Sequence, residues 1–359
     1  MLQPPGHHRR SPYFVSGWLD FAVIGGLSIV VFLLLRLISN GGTRPEVVQA
    51  VAVTSIFVNY PHFSATVYRL YQNLDNVRQF PVTAIGVPLL MIAGVAASLW
   101  QPEWVAPYFV TLFLIWSPYH YSGQTIGITM LYARRSGFVV GPRQRIALST
   151  FVYSTFILSF VSSRNDQPII RYGVSIPVIH FPAWFGAILI ATMCVGATVF
   201  LWFVFIWCRS QRSVPPLIIL LPAVAQFVWF MPGRQTAMFY EFVPLFHSLQ
   251  YLYIAWAMQI GLRLGQPAHG KAAGSVWQET FRWGVRNYIG GMLLFIALPW
   301  LLCWIDVPLL TSAGIIIAAV NIHHFFVDGV IWKLRDARET SPLMMSSVDW
   351  TPQRAPGMA

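Results

Sequence analysis

The sequence predicts an all-α, polytopic integral membrane protein: a helix bundle of about ten transmembrane helices with cytoplasmic N and C termini. The chain of 359 residues is 56% hydrophobic and only 10% charged, whereas soluble domains carry about 25% charged residues. Its mean hydropathy is +0.59. The apolar residues form blocks that approach or exceed the roughly 20 residues a membrane helix needs. These observations exclude an ordinary soluble domain.

Ten apolar segments are long enough to be candidate membrane spans. In chain order they are residues 16–38, 48–71, 81–100, 105–133, 144–163, 183–208, 214–231, 235–262, 287–305 and 308–334. The segments 214–231 and 287–305 are short and contain proline, so they are the least regular of the set. The first segment is too long for the apolar core of a signal peptide and has no small-residue cleavage site, so we expect it to be retained.

The distribution of Lys and Arg supports this count. With both termini inside, 18 of the 23 basic residues fall in inner segments and five fall in outer ones. The outer ones are Arg36, Arg44, Arg164, Arg171 and Arg234. Cytoplasmic loops of membrane proteins are enriched in Lys and Arg, and one span more or fewer would mix the two groups. The same rule explains the net charge of +11, so the charge does not indicate nucleic-acid binding. We expect a bacterial inner (plasma) membrane protein.

The chain reads as a single transmembrane domain over residues 1–339, followed by a tail. Residues 340–359 are polar and contain proline, which predicts a disordered C-terminal segment. The outer loop 164–182 is long enough to fold back as a lid. Ser275 to Arg286 places large aromatic side chains among charges, which is typical of a helix lying in the membrane interface.

Five of the nine histidines fall inside apolar spans. They are His62, His120, His247, His323 and His324. Ionisable residues at membrane depth are costly and are usually functional. The four helices that carry them all run from outside to inside, and the histidines agree in depth within about 5 Å when counted from the outer end. Counted from the inner basic residues they agree less well, because long basic side chains snorkel.

Polar residues accompany each histidine at spacings of three or four, which lie on one helix face. The candidate supporting residues are Asn59 beside His62, Gln250 and Tyr251 beside His247, and Asn321 beside His324, with Thr66 a further polar neighbour of His62. A metal-bound imidazole needs its second ring nitrogen held by such a group. Gln124 follows His120 by four and Asp328 follows His324 by four, and these two are the candidate catalytic residues.

Proline precedes the histidine in three of the four helices, as Pro61, Pro118 and Pro244. A proline inside a helix removes a backbone hydrogen bond, which membrane proteins tolerate where the backbone faces the protein interior or a wet cavity. Arg69 lies seven residues after His62, two turns along the same stripe. It is a candidate for binding an anionic substrate headgroup, although a place at the membrane edge explains it as well.

Several histidines with one aspartate predict a metal site. Imidazole suits zinc, copper, iron and nickel, and this donor set resembles that of a non-haem iron centre. The three cysteines lie in or beside apolar blocks without a CxxC pair, so thiolate ligation is not indicated. Non-haem iron is the expected cofactor, with zinc or haem b as alternatives. A zinc hydrolase would need a general base, for which Asp328 ranks ahead of Glu241.

Four segments carry a resemblance to a known family: NYPHFSATVYRLY, SPYHYSGQTIGITMLY, FHSLQYLYIAW and NIHHFFVDGVIW. Together they resemble the multi-histidine integral-membrane oxygenases, broadly the bacterial Brp/Blh-type carotene dioxygenases. The resemblance implies Fe(II), O2 and an apolar polyene or similar lipid. It also implies that the ligands are His62, His120, His247 and one of His323 and His324. Ten spans and the HHxxxD pattern depart from that family.

Three functions follow from this pattern. The first is a membrane metalloenzyme, a non-haem iron oxygenase that acts on a lipid or isoprenoid with O2 and an electron donor. The second is a transporter or proton-coupled carrier that uses the histidines and Asp328 as a relay, although transporters usually show repeated halves and none is visible here. The third is an electron-transfer protein that binds haem b through two histidines on facing helices. The sequence indicates no nucleic-acid partner and no oligomeric state.

Overall fold

The computed structural model describes residues 11–38, 45–162, 168–236, 239–264 and 276–332. This part of the chain is helical apart from one short hairpin. Six of its helices are long and apolar enough to cross a membrane. The prediction of an all-α membrane protein is confirmed at this level, while the count of ten spans and the side of the termini stay predictions.

Eleven helices can be followed through the described residues. They are α1 (Gly17–Ile38), α2 (Pro45–Tyr71), α3 (Leu74–Gln79), α4 (Val82–Trp100), α5 (Ala106–Arg135), α6 (Pro142–Val161), α7 (Ala183–Gln211), α8 (Leu221–Phe230), α9 (Val243–Leu264), α10 (Val276–Cys303) and α11 (Leu309–Ile331). Each predicted segment overlaps one of them. The helices α2, α5, α8 and α9 are not among the six candidate spans. Three of these four carry polar faces with histidines, and α8 has only 10 residues.

Local irregularities mark several helices. The helices α4 and α10 each contain one π-helical turn, at Val82–Gly86 and Leu293–Ala297, whereas α1 is kinked at Gly25, whose φ of 178° and ψ of −28° are not helical. Pro61 and Pro118 lie inside α2 and α5, which continue through them. Pro244 instead lies in the first turn of α9, where a missing N–H costs no helical hydrogen bond. Pro244 therefore does not interrupt a helix.

Part of the segment between α6 and α7 folds into an antiparallel hairpin of β1 (Ile169–Arg171) and β2 (Val174–Ile176). Tyr172 and Gly173 form its turn with φ of 53° and 72°, the positive values that tight hairpin turns require. Arg171 lies 2.9 Å from Glu241, which ties the hairpin to the start of α9. Burial lowers the pKa of Arg171, but its hydrogen bond to Glu241 and the charge of Glu241 outweigh burial and raise the pKa above its ordinary value.

The prediction of a separate interfacial helix at 275–286 is wrong. Residues from Val276 onward form the first turns of α10, which runs without a break to Cys303. The helix is held against α2, because a Cβ added at Gly291 would come within 2.5 Å of the Tyr60 carbonyl carbon. The predicted tail, residues 340–359, lies outside the described residues.

A buried carboxylate ties the N-terminal segment to the bundle. Asp20 of α1 has no exposed surface. Its oxygens accept hydrogen bonds from the backbone N–H of Phe14 (2.8 Å), Val15 (3.2 Å) and Ser16 (3.3 Å) and from the hydroxyls of Tyr132 (2.7 Å) and Tyr253 (2.5 Å). These donors come from the chain before α1 and from α5 and α9, so one side chain joins three parts of the fold.

Candidate metal centre

Four histidines from four helices meet in the interior. They are His62 of α2, His120 of α5, His247 of α9 and His324 of α11, and we call them the histidine cluster. The Nε2 atom of His324 lies 3.0 Å from Nε2 of His62 and 3.0 Å from Nε2 of His120. The ring of His247 lies 5.1 Å from that of His62 and 5.0 Å from that of His120, between centroids. One ring nitrogen of each of His62, His247 and His324 lies within 4.8 Å of the others.

A carboxylate completes the group. Asp328 follows His324 by one helical turn, and its Oδ2 lies 3.4 Å from Nε2 of His324. The same oxygen lies 3.5 Å from Nε2 of His120, and both of these side chains are 9% exposed. The five side chains thus form two groups of possible ligands that share His324: His62, His247 and His324, and His120, His324 and Asp328.

The helices point these groups inward because their other faces are apolar. In α2, Phe57 is 60% exposed while His62 is fully buried. In α5, Leu112 is 47% exposed while Ser122 and Thr129 are fully buried. Polar side chains at membrane depth avoid lipid by facing the bundle interior. An apolar outer surface therefore orients the cluster.

The contacts of His324 favour the tautomer with the hydrogen on Nδ1 and the lone pair on Nε2. Nδ1 of His324 lies 3.0 Å from Oγ1 of Thr66, whose hydroxyl lies 2.6 Å from the Tyr251 hydroxyl. The same hydroxyl lies 3.3 Å from the His62 carbonyl oxygen. Whichever of these two oxygens takes its single hydrogen, Thr66 can accept from Nδ1–H of His324. The single Nε2 lone pair of His324 then faces two imidazole nitrogens at 3.0 Å. One lone pair cannot satisfy two donors well, whereas a shared cation satisfies all three nitrogens.

The spacing of the donors fits a transition metal. Metal–nitrogen bonds of about 2.1 Å place neighbouring nitrogens about 3.0 Å apart at a right angle and about 3.4 Å apart in a tetrahedron. The observed separations are 3.0, 3.0, 3.4 and 3.5 Å. Imidazole and carboxylate are common ligands of iron and zinc. The residue groups able to hold a metal in the described ranges contain only His and Asp.

The predicted supporting residues act differently from the expectation. The Asn59 amide donates to Ser55 at 3.1 Å, and the Asn321 amide donates to the Ile317 carbonyl at 2.8 Å, both within their own helices. Thr66 supports His324 of another helix rather than its own neighbour His62. Spacing along one helix cannot identify such a partner, because an imidazole aimed at the bundle centre reaches the facing helix.

Gln124 and Gln250 hold the backbone around the cluster. The Gln124 amide donates to the His247 carbonyl at 2.9 Å and to Oε1 of Gln250 at 3.1 Å. The Gln250 amide donates to the Ile24 carbonyl at 2.5 Å, at the kink of α1. Tyr251 packs its ring 4.2 Å from that of His62. These bonds link α1, α5 and α9, and a catalytic role for Gln124 stays a prediction.

Two predicted residues lie beside the cluster. The structure brings His324 into it and leaves His323 outside, with its ring stacked on Tyr71 at 6.4 Å. Neighbouring residues on a helix point about 100° apart, so only one of the pair can face the centre. Arg69 is only 8% exposed, and its guanidinium lies 4.5 Å from the Trp332 ring. Its predicted headgroup role stays a prediction.

One cavity adjoins the cluster, and a second lies behind Tyr121. The first, of about 290 Å³, is reached by His120, Gln124 and Asp328, and we call it the glycine cavity because Gly123, Gly127 and Gly329 line it. The second, of about 330 Å³, lies under the β1–β2 hairpin and is lined by Arg171, Glu241 and Tyr121, among others. We call it the hairpin cavity. The ring of Tyr121 lies 4.3 Å from that of His247, which separates this cavity from the cluster.

No protein-family model, curated protein or solved structure matches the chain. The resemblance to the Brp/Blh-type oxygenases rests on the four histidine-containing segments alone. We therefore infer function from the chemistry and geometry of the cluster.

Replacing Thr66 by Val is expected to weaken metal binding about 10- to 100-fold, the usual effect of removing a group that orients a metal-bound histidine. The valine keeps the shape of the side chain but leaves Nδ1 of His324 without its acceptor. Competition with a chromogenic chelator measures the affinity. Thr54→Val is the control, because Thr54 is exposed on the same helix and bonds only to carbonyls of α2. Equal affinities for both variants would contradict the assigned role.

Proposed function

We propose that this chain is a membrane metalloenzyme that binds one metal ion through the histidine cluster and Asp328. The observation that supports it most directly is the pair of 3.0 Å contacts at Nε2 of His324. A buried lone pair with two nitrogens at that distance calls for a cation. We propose that the ion is non-haem iron and that the substrate is lipophilic.

The surroundings of the cluster support oxygen chemistry on an apolar molecule. Iron in this site would supply O2 activation, as the resemblance implies. His62, His247 and His324 are at most 3% exposed, so bulk water is excluded from three of the ligands. His120 and Asp328 also border the glycine cavity, and a substrate lying there would meet the ligand set from that side. Phe325, with its ring 4.7 Å from that of His120, forms an apolar wall beside it.

Fewer observations support the three alternative functions, a zinc hydrolase, a haem b protein and a proton-coupled carrier. A zinc hydrolase would use the same donors, with Asp328 as base, while Glu241 is paired with Arg171. Haem b has less support, because nitrogens 3.0 Å apart leave no room for a macrocycle between two axial histidines. A proton-coupled carrier is the second candidate, because one cavity reaches His120 and Asp328 and a second lies behind Tyr121, whose ring packs on His247.

The proposal extends to the topology. Ten spans with both termini in the cytoplasm of a bacterial inner membrane would place all four cluster helices in one orientation. The β1–β2 hairpin and Glu241 would then lie on the outer side. Labelling of single cysteines from either side of intact cells tests this, at Ser175 of the hairpin and Ser136 beyond α5. Labelling of both from the same side would contradict the proposal.

Elemental analysis with an optical spectrum tests the function. Protein purified in detergent without chelator is expected to contain about one equivalent of iron and no Soret band. One equivalent of zinc would favour the hydrolase, and a Soret band would favour the haem protein. Protein without metal would contradict the metalloenzyme and favour the carrier.

A further inference from the structure

The glycine cavity borders another, larger cavity. This neighbouring cavity of about 700 Å³ shares Gly123, Gly127, Tyr153 and Trp332 with it. Its lining also includes Arg134 at the end of α5 and Arg145 at the start of α6. The two cavities therefore lie side by side, one lined by the ligands His120 and Asp328 and the other by two guanidinium groups, and we call these two cavities together the arginine passage.

The glycines along this passage leave space and do not serve close helix packing. Among the described residues, a Cβ added at Gly127 or Gly329 would meet no atom within 4 Å, and one at Gly123 would meet only the Tyr153 hydroxyl at 4.0 Å. Gly291 differs, since a Cβ there would strike the backbone of α2. Side chains at 123, 127 and 329 would thus fit structurally but would fill the passage.

Polar atoms without a hydrogen-bond partner among the described residues lie at the end of the arginine passage next to the histidine cluster. Oδ1 of Asp328 and Oε1 of Gln124 are buried without a hydrogen-bond partner among the described residues. Both side chains line the glycine cavity. A ligand that fills the cavity would lie against these atoms and next to the metal donors.

The other end of the arginine passage, which we call its mouth, is positively charged, in contrast to the end that carries Asp328. The lining of the larger cavity includes Arg134 and Arg145 and, within the described residues, no carboxylate. Between them and the cluster the walls are mainly apolar, with Ile126, Met130 and Phe138 among them. His120 and Arg134 are 14 residues apart on α5, which corresponds to about 21 Å along the helix. This combination suits a long apolar chain with a negative head.

We propose that the arginine passage binds a long-chain amphiphile with one anionic head group, carboxylate or phosphate. The head lies at Arg134 and Arg145, and the chain runs past Gly127 and Gly123 to the cluster. This assignment names the substrate class of the proposed enzyme. The role of the amphiphile in catalysis rests on the proposed function. It places the headgroup at the passage mouth rather than at Arg69.

Equilibrium binding of three probes to the full chain in a nonionic detergent tests the head group. Oleate and oleyl phosphate are expected to bind at least about tenfold more tightly than oleyl alcohol, given roughly 1 kcal/mol per basic residue. The stronger of the two anions identifies the head class. The double variant Arg134→Gln/Arg145→Gln is expected to lose this preference. Arg143→Gln, a neighbouring exposed residue, is expected to keep it. Equal binding of oleate and the alcohol by the unmodified protein overturns the proposal.

A second pair of variants tests the path of the chain. Gly127→Leu is expected to weaken oleate binding at least about tenfold by filling the passage, while Gly186→Leu is the control, because a Cβ at Gly186 also meets nothing within 4 Å. Unchanged oleate binding by Gly127→Leu overturns the proposed path. Metal content is measured on the same samples. Selective oleate binding by metal-free protein contradicts the metalloenzyme alone, and bound metal without selectivity contradicts the amphiphile alone.

Discussion

The variant His324→Ala is expected to purify without metal, whereas the unmodified chain carries about one equivalent. His324 supplies the nitrogen that lies 3.0 Å from two other imidazoles and 3.4 Å from Asp328. Its removal takes away the donor that three of the four close contacts share. The variants His62→Ala, His120→Ala and His247→Ala are expected to lose most of the metal as well, because each deletes one ligand. Elemental analysis of the purified variants measures the outcome.

The neighbouring residue provides the matched control. His323→Ala removes an imidazole from the same helix at nearly the same depth, but its ring stacks on Tyr71 outside the cluster. It is expected to retain its metal, as is His180→Ala in the exposed loop before α7. Circular dichroism of each variant shows whether the helices are intact. Full metal content in His324→Ala, or metal loss in His323→Ala, would refute the ligand assignment.

The variant Asp20→Asn is expected to lower the free energy of unfolding by about 3 kcal/mol, the scale of breaking a buried charged network. The amide keeps one acceptor but turns its NH2 towards groups that all donate. Backbone N–H groups of the segment before α1 and the hydroxyls of Tyr132 and Tyr253 then compete for one oxygen. Thermal unfolding in a mild detergent, compared across variants, measures the loss.

A surface aspartate is the control for this prediction. Asp75→Asn removes a carboxylate that is 72% exposed and 4.0 Å from Arg78, and exposed pairs of this kind contribute little. We expect its unfolding transition to match that of the unmodified chain. If Asp20→Asn unfolds at the same temperature as Asp75→Asn, the anchoring role of Asp20 is wrong.

The positions of the helices could be predicted because apolar blocks and basic loops follow the membrane directly. Each of the ten predicted segments overlaps a helix, and the histidines could be selected because imidazoles are costly among apolar residues. That His62, His120 and His247 lie on different helices at one depth followed from counting residues. Asp328 followed from its spacing of four residues from His324.

Other features depend on contacts between helices, which spacing does not encode. Thr66 bonds to His324 across the interface between α2 and α11. The choice of His324 over His323 depends on how α11 rotates against its neighbours. Glycines within helices, such as Gly123 and Gly127 of α5 and Gly329 of α11, usually indicate close helix packing. Only the surroundings of Gly127 and Gly329 show that these glycines leave space. The continuity of α10 was missed because its first turns carry charges.

X-ray absorption spectroscopy of the protein purified without chelator tests the central claim most directly. We predict an iron edge with only nitrogen and oxygen neighbours, at about 2.0–2.2 Å, and the outer-shell scattering of several imidazoles. The His324→Ala variant should show no such signal. Sulfur neighbours, porphyrin scattering or no bound metal at all would contradict the histidine and aspartate centre.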